Sequence, residues 1–235
     1  MPPAVKALFF DVFGTLVDWR TSIARETEEI LKGRGYALDW SNFADAWRDK
    51  YQPAMEEVRS GHAAYCKLDV LHRQNLESIL PDFKISGLPE EELRELNLAW
   101  HRLDAWPDVT GGLARLKRGY LLAPLSNGNI SIMVDLARRN GFPWDAILGA
   151  ELARDYKPNA GVYLAAADAF DLAPRECMMV AAHSSDLKAA AKLGFATAHI
   201  ARPNESGPGL GEVSPTVPVD VAANDLGDLA SQLGT

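Results

Sequence analysis

Short apolar runs, each followed by polar residues and then by a helical pattern, recur along most of this chain. The runs lie at residues 5–10, 120–125, 146–149, 177–182 and 196–200. Apolar runs of this length without alternation are typical of strands buried on both faces of a parallel sheet. Their alternation with helices predicts an α/β fold built on a doubly wound, Rossmann-like parallel sheet.

One long stretch departs from this alternation. Between residues 21 and 106 the apolar residues recur at helical spacing, and glycines and prolines divide the stretch into several pieces. We therefore predict a helical-bundle cap domain at 18–106, inserted into an α/β core domain made of 1–17 and 107–235. The Gly-, Pro- and Ser-rich residues 202–218 are interpreted as an exposed connection to a last short strand and helix.

Composition and charge narrow the classes of function. The 235-residue chain carries a formal net charge of −8 and only two cysteines, which disfavours nucleic acid as a partner and a disulfide framework. No stretch reaches the roughly 18 apolar residues that span a bilayer. The start, Met1-Pro2-Pro3, lacks the basic and apolar regions of a signal peptide. A cytoplasmic protein without membrane contact is expected.

Polar side chains follow four of the predicted strands, at or beyond the point where each strand ends. They are Asp11, then Ser126 with Asn127, then Lys157, and finally Asp186 in the loop after the fourth strand. Each alone is readily explained as a cap, a turn or a solvated residue. Ligands of doubly wound sheets collect at the carboxyl ends of the strands, so the four together predict one site.

These residue types suit covalent catalysis by a carboxylate. A nucleophilic Asp11 must stay ionised and be aimed at one atom, and Lys157 would favour its charged form. Ser126 would donate a hydrogen bond to one carboxylate oxygen, while Asp186 would pair with Lys157.

The same residues resemble a known family. Residues 11–16 (Asp-Val-Phe-Gly-Thr-Leu), 126–128 (Ser-Asn-Gly), 157–158 (Lys-Pro) and the turn ending at Asp186 resemble the four motifs of the haloacid dehalogenase-like superfamily. The resemblance covers essentially the whole chain, including the cap, and it implies that Thr15 belongs to the catalytic set. It leaves two enzyme classes open, a phosphatase and a dehalogenase.

Phe13 favours the dehalogenase. Phosphatases of the superfamily carry an Asp two residues after the nucleophile, as general acid and magnesium ligand, and Ala182 here also replaces an acid of their fourth motif. The resemblance to the L-2-haloacid dehalogenase branch implies hydrolysis of small 2-haloacids with halide as product. In that reaction Asp11 attacks C2 and water then hydrolyses the ester, without a metal or other cofactor.

The dehalogenase branch also implies residues that bind substrate and halide. Arg48, in the segment Trp-Arg-Asp-Lys at 47–50, matches the Arg that faces the nucleophile in that branch, and it would bind halide or carboxylate. Asn127 is expected near the halide, Phe13 as an apolar wall and Tyr163 near the site. Arg20 is a candidate for a second carboxylate anchor near the cap hinge.

The fourth motif departs from the best-known members of the branch. They carry Ser-Ser-Asn where this chain has Ala181, Ala182 and His183. His183 is therefore a candidate for placing or deprotonating the hydrolytic water, although a lone loop histidine is often structural. A catalytically silent small-molecule binder stays open as a further alternative. A homodimer is common in the family, but no interface is evident in the pattern.

Overall fold

The computed structural model describes residues 5–235, so the start Met1-Pro2-Pro3 lies outside the described residues. The strands, in chain order, are β1 (Ala7–Phe10), β2 (Val17–Asp18), β3 (Asp104–Ala105), β4 (Leu121–Ser126), β5 (Leu148–Gly149), β6 (Cys177–Ala181), β7 (Ala196–Ile200) and β8 (Val221–Ala223). Six of them form one sheet in the order β5-β4-β1-β6-β7-β8, and all its pairings are parallel. The predicted α/β class with a doubly wound parallel sheet is confirmed.

The central strand β1 shows why its sequence is continuously apolar. Leu8 and Phe10 pack into the core on one face of the sheet, whereas Ala7 and Phe9 pack into the core on the other face. Successive side chains of a strand point to opposite faces, so burial of both faces leaves no position for a polar residue. The first polar side chain, Asp11, stands where the strand leaves the sheet.

The helices are α1 (Trp19–Lys32), α2 (Trp40–Asp49), α3 (Tyr51–Arg59), α4 (Leu68–Ile79), α5 (Glu90–Asn97), α6 (Val109–Leu116), α7 (Ile130–Asn140), α8 (Ala150–Ala153), α9 (Ala160–Asp168), α10 (Ser184–Lys192) and α11 (Leu226–Gln232). Short 3₁₀ turns lie at Leu80–Phe83, Leu98–His101 and Pro174–Glu176. Helix α7 ends at Gly141, whose left-handed backbone terminates it. Helix α5 ends at Asn97 and is followed directly by the 3₁₀ turn at Leu98–His101.

Helices α1–α5 form one segment between β2 and β3. These two-residue strands pair in antiparallel fashion, with Val17 opposite Ala105 and Asp18 opposite Asp104. The chain therefore enters and leaves the helical segment through two strands that pair with each other. The division into two domains at 17/18 and 106/107 stays a prediction, although the strand pair lies at these positions.

Residues 202–218 contain no regular helix or strand, as predicted, but the expectation of an exposed connection is wrong in part. Arg202 and Glu205 are only 6% and 7% exposed. Both are drawn against the carboxyl edge of the sheet by polar contacts given below. None of the helices within residues 5–235 is long and apolar enough to cross a membrane.

Candidate active site

Asp11 leaves the middle of the sheet at the end of β1, and its side chain is almost fully buried. Its Oδ1 lies 2.9 Å from Lys157 Nζ, and its Oδ2 accepts a 2.8 Å hydrogen bond from the Thr15 hydroxyl. Burial alone would raise the pKa of Asp11, but the Lys157 charge and a hydrogen bond from His183 outweigh burial and hold that pKa far below its usual range. Asp11 is therefore ionised at neutral pH.

A tight turn after β1 holds Thr15 beneath the carboxylate. The Leu16 N–H donates to the Val12 carbonyl at 2.9 Å, and Gly14 adopts a φ of +84°, in the left-handed region that favours glycine. The Thr15 Oγ1 also accepts a 2.9 Å bond from the Ala182 N–H, which joins the turn to the end of β6. Thr15 thus links the Asp11 carboxylate at the end of β1 to the end of β6 and holds it in one orientation.

Lys157 lies between α8 and α9 with its ammonium group buried between two carboxylates. Besides Asp11, its Nζ contacts Asp186 Oδ2 at 2.5 Å, and the Tyr163 hydroxyl donates to Asp186 Oδ1. Burial alone would lower the pKa of Lys157, but the two carboxylates outweigh burial and raise that pKa above its usual value. The ammonium group therefore stays charged. The Lys157 N–H donates to Asn127 Oδ1 at 2.8 Å, which fixes its backbone against the loop after β4.

The helical segment supplies the opposite wall of a cavity of about 510 Å³. Arg48, in the last turn of α2, places its guanidinium carbon 4.1 Å from the centre of the Tyr51 ring. Arg48 Nη1 is buried and has no hydrogen-bond partner within residues 5–235. Phe13 packs edge-on against Tyr51 and Trp100. This wall combines apolar rings with a cation that has a free donor for an anion.

His183 lies beside the nucleophile, immediately before α10. Its Nδ1 is 3.1 Å from Asp11 Oδ2, and its Nε2 is 2.9 Å from Glu205 Oε1. Burial lowers the pKa of His183, but hydrogen bonds and charge from Asp11 and Glu205 outweigh it and raise the pKa to about 10. The imidazole is therefore charged while both carboxylates are ionised.

The structure brings most of the predicted site residues together. The cavity is lined by the predicted residues Asp11, Phe13, Arg48, Asn127, Lys157, Tyr163, His183 and Asp186. Within residues 5–235, no group of three or more His, Cys, Asp or Glu side chains is arranged to hold a metal ion.

Three expectations about individual residues were wrong. Arg20 does not line the cavity, because its guanidinium forms a two-pronged ion pair with Asp45, at 2.7 Å for each bond. Ser126 does not bond Asp11: its Oγ accepts from the Gly128 N–H at 3.0 Å, and Thr15 is the hydroxyl that bonds the carboxylate. Asp186 lies in the first turn of α10 and not in a loop, because that helix begins at Ser184.

Comparison with protein-family models identifies the chain. The model of haloacid dehalogenase-like hydrolases matches residues 5–194. The chain belongs to this family.

Several similar proteins are named as 2-haloacid dehalogenases. (S)-2-haloacid dehalogenase 1 of Pseudomonas sp. (strain CBS-3) is 30% identical over 204 residues, covering 86% of each chain. A solved defluorinating L-2-haloacid dehalogenase is 42% identical over the full length of both chains, with a TM-score of 0.96. The L-2-haloacid dehalogenase from Xanthobacter autotrophicus with chloropropionic acid covalently bound is 25% identical, with a TM-score of 0.83 over 97% of this chain and 98% of that one.

Sequence reasoning missed several residues around the cavity of this haloacid dehalogenase-like hydrolase, and Tyr51 and Glu205 have the contacts most relevant to the site. Tyr51 carries the ring beneath Arg48, and a signal for it existed, because residues three apart on helices lie on one side. Glu205 contacts His183 from a stretch with no periodicity. Nothing in the local sequence indicated that Glu205 would return to the site.

Proposed function

We propose that this protein hydrolyses small 2-haloacids, such as haloacetates and 2-halopropionates, through an ester formed on Asp11. The observation that carries the proposal is one cavity with an ionised, buried carboxylate on its sheet side and an unpaired Arg48 donor on its helical side. Such a cavity holds a nucleophile for carbon and a binding group for a halide or a carboxylate. The names of the relatives support the same chemistry.

In the first half of the reaction, a carboxylate oxygen of Asp11 forms a bond to C2 of the haloacid. The carbon–halogen bond breaks, and its electron pair leaves with the halide. Lys157 and Thr15 hold the carboxylate in one orientation, which reduces the entropy lost on reaching the transition state. Arg48 binds the departing halide or the substrate carboxylate, and Asn127 stands beside it at the cavity wall.

In the second half, water attacks the carbonyl carbon of the ester and releases the 2-hydroxyacid. His183 is the base that this step requires, because its Nδ1 is 3.1 Å from Asp11 Oδ2. Esterification removes the negative charge of Asp11, so the pKa of His183 falls and its Nδ1 proton passes to solvent. The neutral nitrogen then takes a proton from water, returns it to the departing alkoxide, and regains one from the carboxyl group of Asp11.

Phe13 separates this reaction from phosphoryl transfer. Its buried ring lines the cavity two residues after Asp11 and offers neither a proton nor a metal ligand. A phosphate ester would bring further negative charge close to Asp11 and Asp186, and Phe13 stands at the position where phosphatases of the superfamily carry their general acid and metal ligand. Phosphatase activity is therefore not favoured.

The proposal is tested by measuring halide release from chloroacetate, fluoroacetate and both enantiomers of 2-chloropropionate, with excess EDTA present. We expect release from chloroacetate and from the (S)-enantiomer, and none from Asp11→Asn. When the reaction with substrate is quenched rapidly, mass spectrometry should show the mass of the Asp11 peptide increased by that of the acid group bound as an ester. Turnover of a phosphate ester with magnesium but of no haloacid would replace the proposal with a phosphatase. Ligand-induced thermal stabilisation without halide release would indicate a silent binder.

Four finer expectations belong to the same proposal. The reaction proceeds without a metal or other cofactor, and it prefers the (S)-enantiomer, as the names of the relatives suggest. The protein acts in the cytoplasm and forms a homodimer. The EDTA arm tests the first, the enantiomer pair the second, and light scattering of the purified protein the dimer.

A further inference from the structure

The loop that follows β7 is fastened to the catalytic edge of the sheet. Arg202 forms a two-pronged ion pair with Asp108, at 2.8 Å for each bond, and its Nε donates to the Thr15 carbonyl at 2.8 Å. Farther along the loop, Glu212 accepts hydrogen bonds from the backbone N–H and the hydroxyl of Ser184. The loop between these anchors is therefore held directly beside the turn that carries the nucleophile.

Glu205 lies between these two anchors and reaches into the site. Both of its oxygens are within hydrogen-bond distance of His183 Nε2, at 2.9 and 3.0 Å, and the Trp19 indole N–H donates to Oε1 at 3.3 Å. Gly14 makes room for this carboxylate, since a Cβ built at Gly14 would lie 1.9 Å from Glu205 Oε1. Burial raises the pKa of Glu205, but His183 outweighs burial and lowers it, so the group is ionised.

An ionised carboxylate accepts hydrogen bonds and donates none, which fixes the protonation of the imidazole. Nε2 of His183 must carry a proton towards Glu205 in both the neutral and the charged ring. The nitrogen that gains and loses a proton is then Nδ1, which lies beside Asp11. Without this partner, a neutral histidine would populate both tautomers and several ring orientations.

We propose that Glu205 is a positioning residue for the hydrolytic half of the reaction: it holds Nε2–H of His183, so that Nδ1 exchanges the proton of the water attacking the ester on Asp11. The inference rests on the proposed function. Glu205 also lies beyond residues 5–194, which are those that match the family model. The second half of the cycle thus depends on a part of the chain outside that match.

The test is Glu205→Gln, which keeps the size of the side chain and removes its charge. Glu212→Gln is the matched control, because it makes the same change in the same loop at a residue bonded to Ser184 and not to His183. Rapid mixing with chloroacetate measures the first equivalent of halide separately from steady-state turnover. Mass spectrometry of quenched samples measures the fraction of Asp11 that carries the ester.

For Glu205→Gln we expect the first equivalent of halide within about threefold of the wild-type rate, and hydrolysis of the ester slowed about 10–100-fold, as for loss of a group that orients a histidine. The ester should accumulate, and kcat and KM should fall together because breakdown of the intermediate limits turnover. Glu212→Gln should show no accumulation.

Two results would overturn the role of Glu205. One is equal slowing of halide release and ester hydrolysis in Glu205→Gln, which a purely structural loss would cause. The other is wild-type kinetics in both steps. Failure of the proposed function looks different, because the wild-type protein itself would then release no halide.

Discussion

The two walls of the cavity differ in how completely their polar groups are paired. On the sheet side, the Asp11 and Asp186 carboxylates and the Lys157 ammonium are joined in one network of hydrogen bonds. On the helical side, Arg48 Nη1, both ring nitrogens of His72 and the indole nitrogen of Trp100 are buried without a partner within residues 5–235. The nucleophile is thus oriented during folding, whereas the substrate side keeps donor capacity for an incoming anion.

Removing the cation of the paired wall is expected to have the largest effect. Lys157→Met leaves Asp11 and Asp186 buried and facing each other, which should lower the free energy of unfolding by about 3–5 kcal/mol, the usual result of breaking a buried ion pair. Halide release should also be lost, since the pKa of Asp11 rises. Urea unfolding at pH 7 measures the first effect. A variant as stable as the wild type would contradict a network in which each charge depends on the others.

Removing the cation of the unpaired wall should separate activity from stability. Arg48→Met should lower kcat/KM for chloroacetate about 10²–10³-fold, as loss of a preorganised donor does. Its free energy of unfolding should fall by no more than about 2 kcal/mol, because the interactions lost are its contacts with the Phe13, Trp19 and Tyr51 rings. Unfolding curves and halide release on the same preparation measure both. A loss of stability as large as that of Lys157→Met would remove the distinction between the walls.

The two walls should also respond to pH with opposite signs. Burial lowers the pKa of His72 to about 3 from its usual 6.5, so its contribution to stability is present above pH 6.5 and is lost as pH falls towards 3. His183, with a pKa of about 10 between Asp11 and Glu205, contributes stability below pH 6.5 and loses it as pH rises towards 10. The first effect is on the order of a few kcal/mol. The second is smaller, because 29% of the His183 side chain is exposed.

Two variants separate the pH dependence of stability caused by His72 and His183 from that of the other titrating groups. His72→Phe keeps a ring against Trp100, with which His72 stacks at 4.2 Å, and should be less sensitive to acid than the wild type. His183→Asn should remove the loss of stability between pH 6.5 and 10. Unfolding free energies measured from about pH 3 to 10 decide the matter, and parallel curves for variant and wild type would refute the corresponding assignment.

The smallest effect is expected at Arg20, outside both walls. Arg20→Ala removes a partly exposed ion pair with Asp45 and should cost less than about 1 kcal/mol. Halide release should stay within twofold of the wild type, and Asp45→Ala should behave in the same way. A large rise in KM for Arg20→Ala alone would restore Arg20 as a substrate anchor.

The parts of the molecule that the sequence predicted are those with a local physical signal. Continuous apolar runs located the buried strands, and the polar residues at or beyond the ends of those strands included Asp11, Lys157 and Asp186. The direction of individual hydrogen bonds and the partners of charged side chains were harder to predict. Nothing in the chain indicated that Ser126 accepts from Gly128, or that Arg20 pairs with a carboxylate 25 residues away.

Glu205 marks the limit of local reasoning. Its partner His183 is 22 residues away, and its position depends on the Arg202–Asp108 ion pair, which joins residues 94 apart. Such contacts form only when the whole sheet is assembled, and a loop without periodicity gives no indication of them.

Glu205 also comes late in the order in which the charged groups of the site are synthesised. A chain emerging from its N-terminus carries the nucleophile first and Lys157 and Asp186 later, and Glu205 is the last of the charged groups to appear. The loop can then enter the space beside Gly14 only because that residue has left it open. The residues that form the bond to carbon are thus synthesised before the residue that assists its hydrolysis.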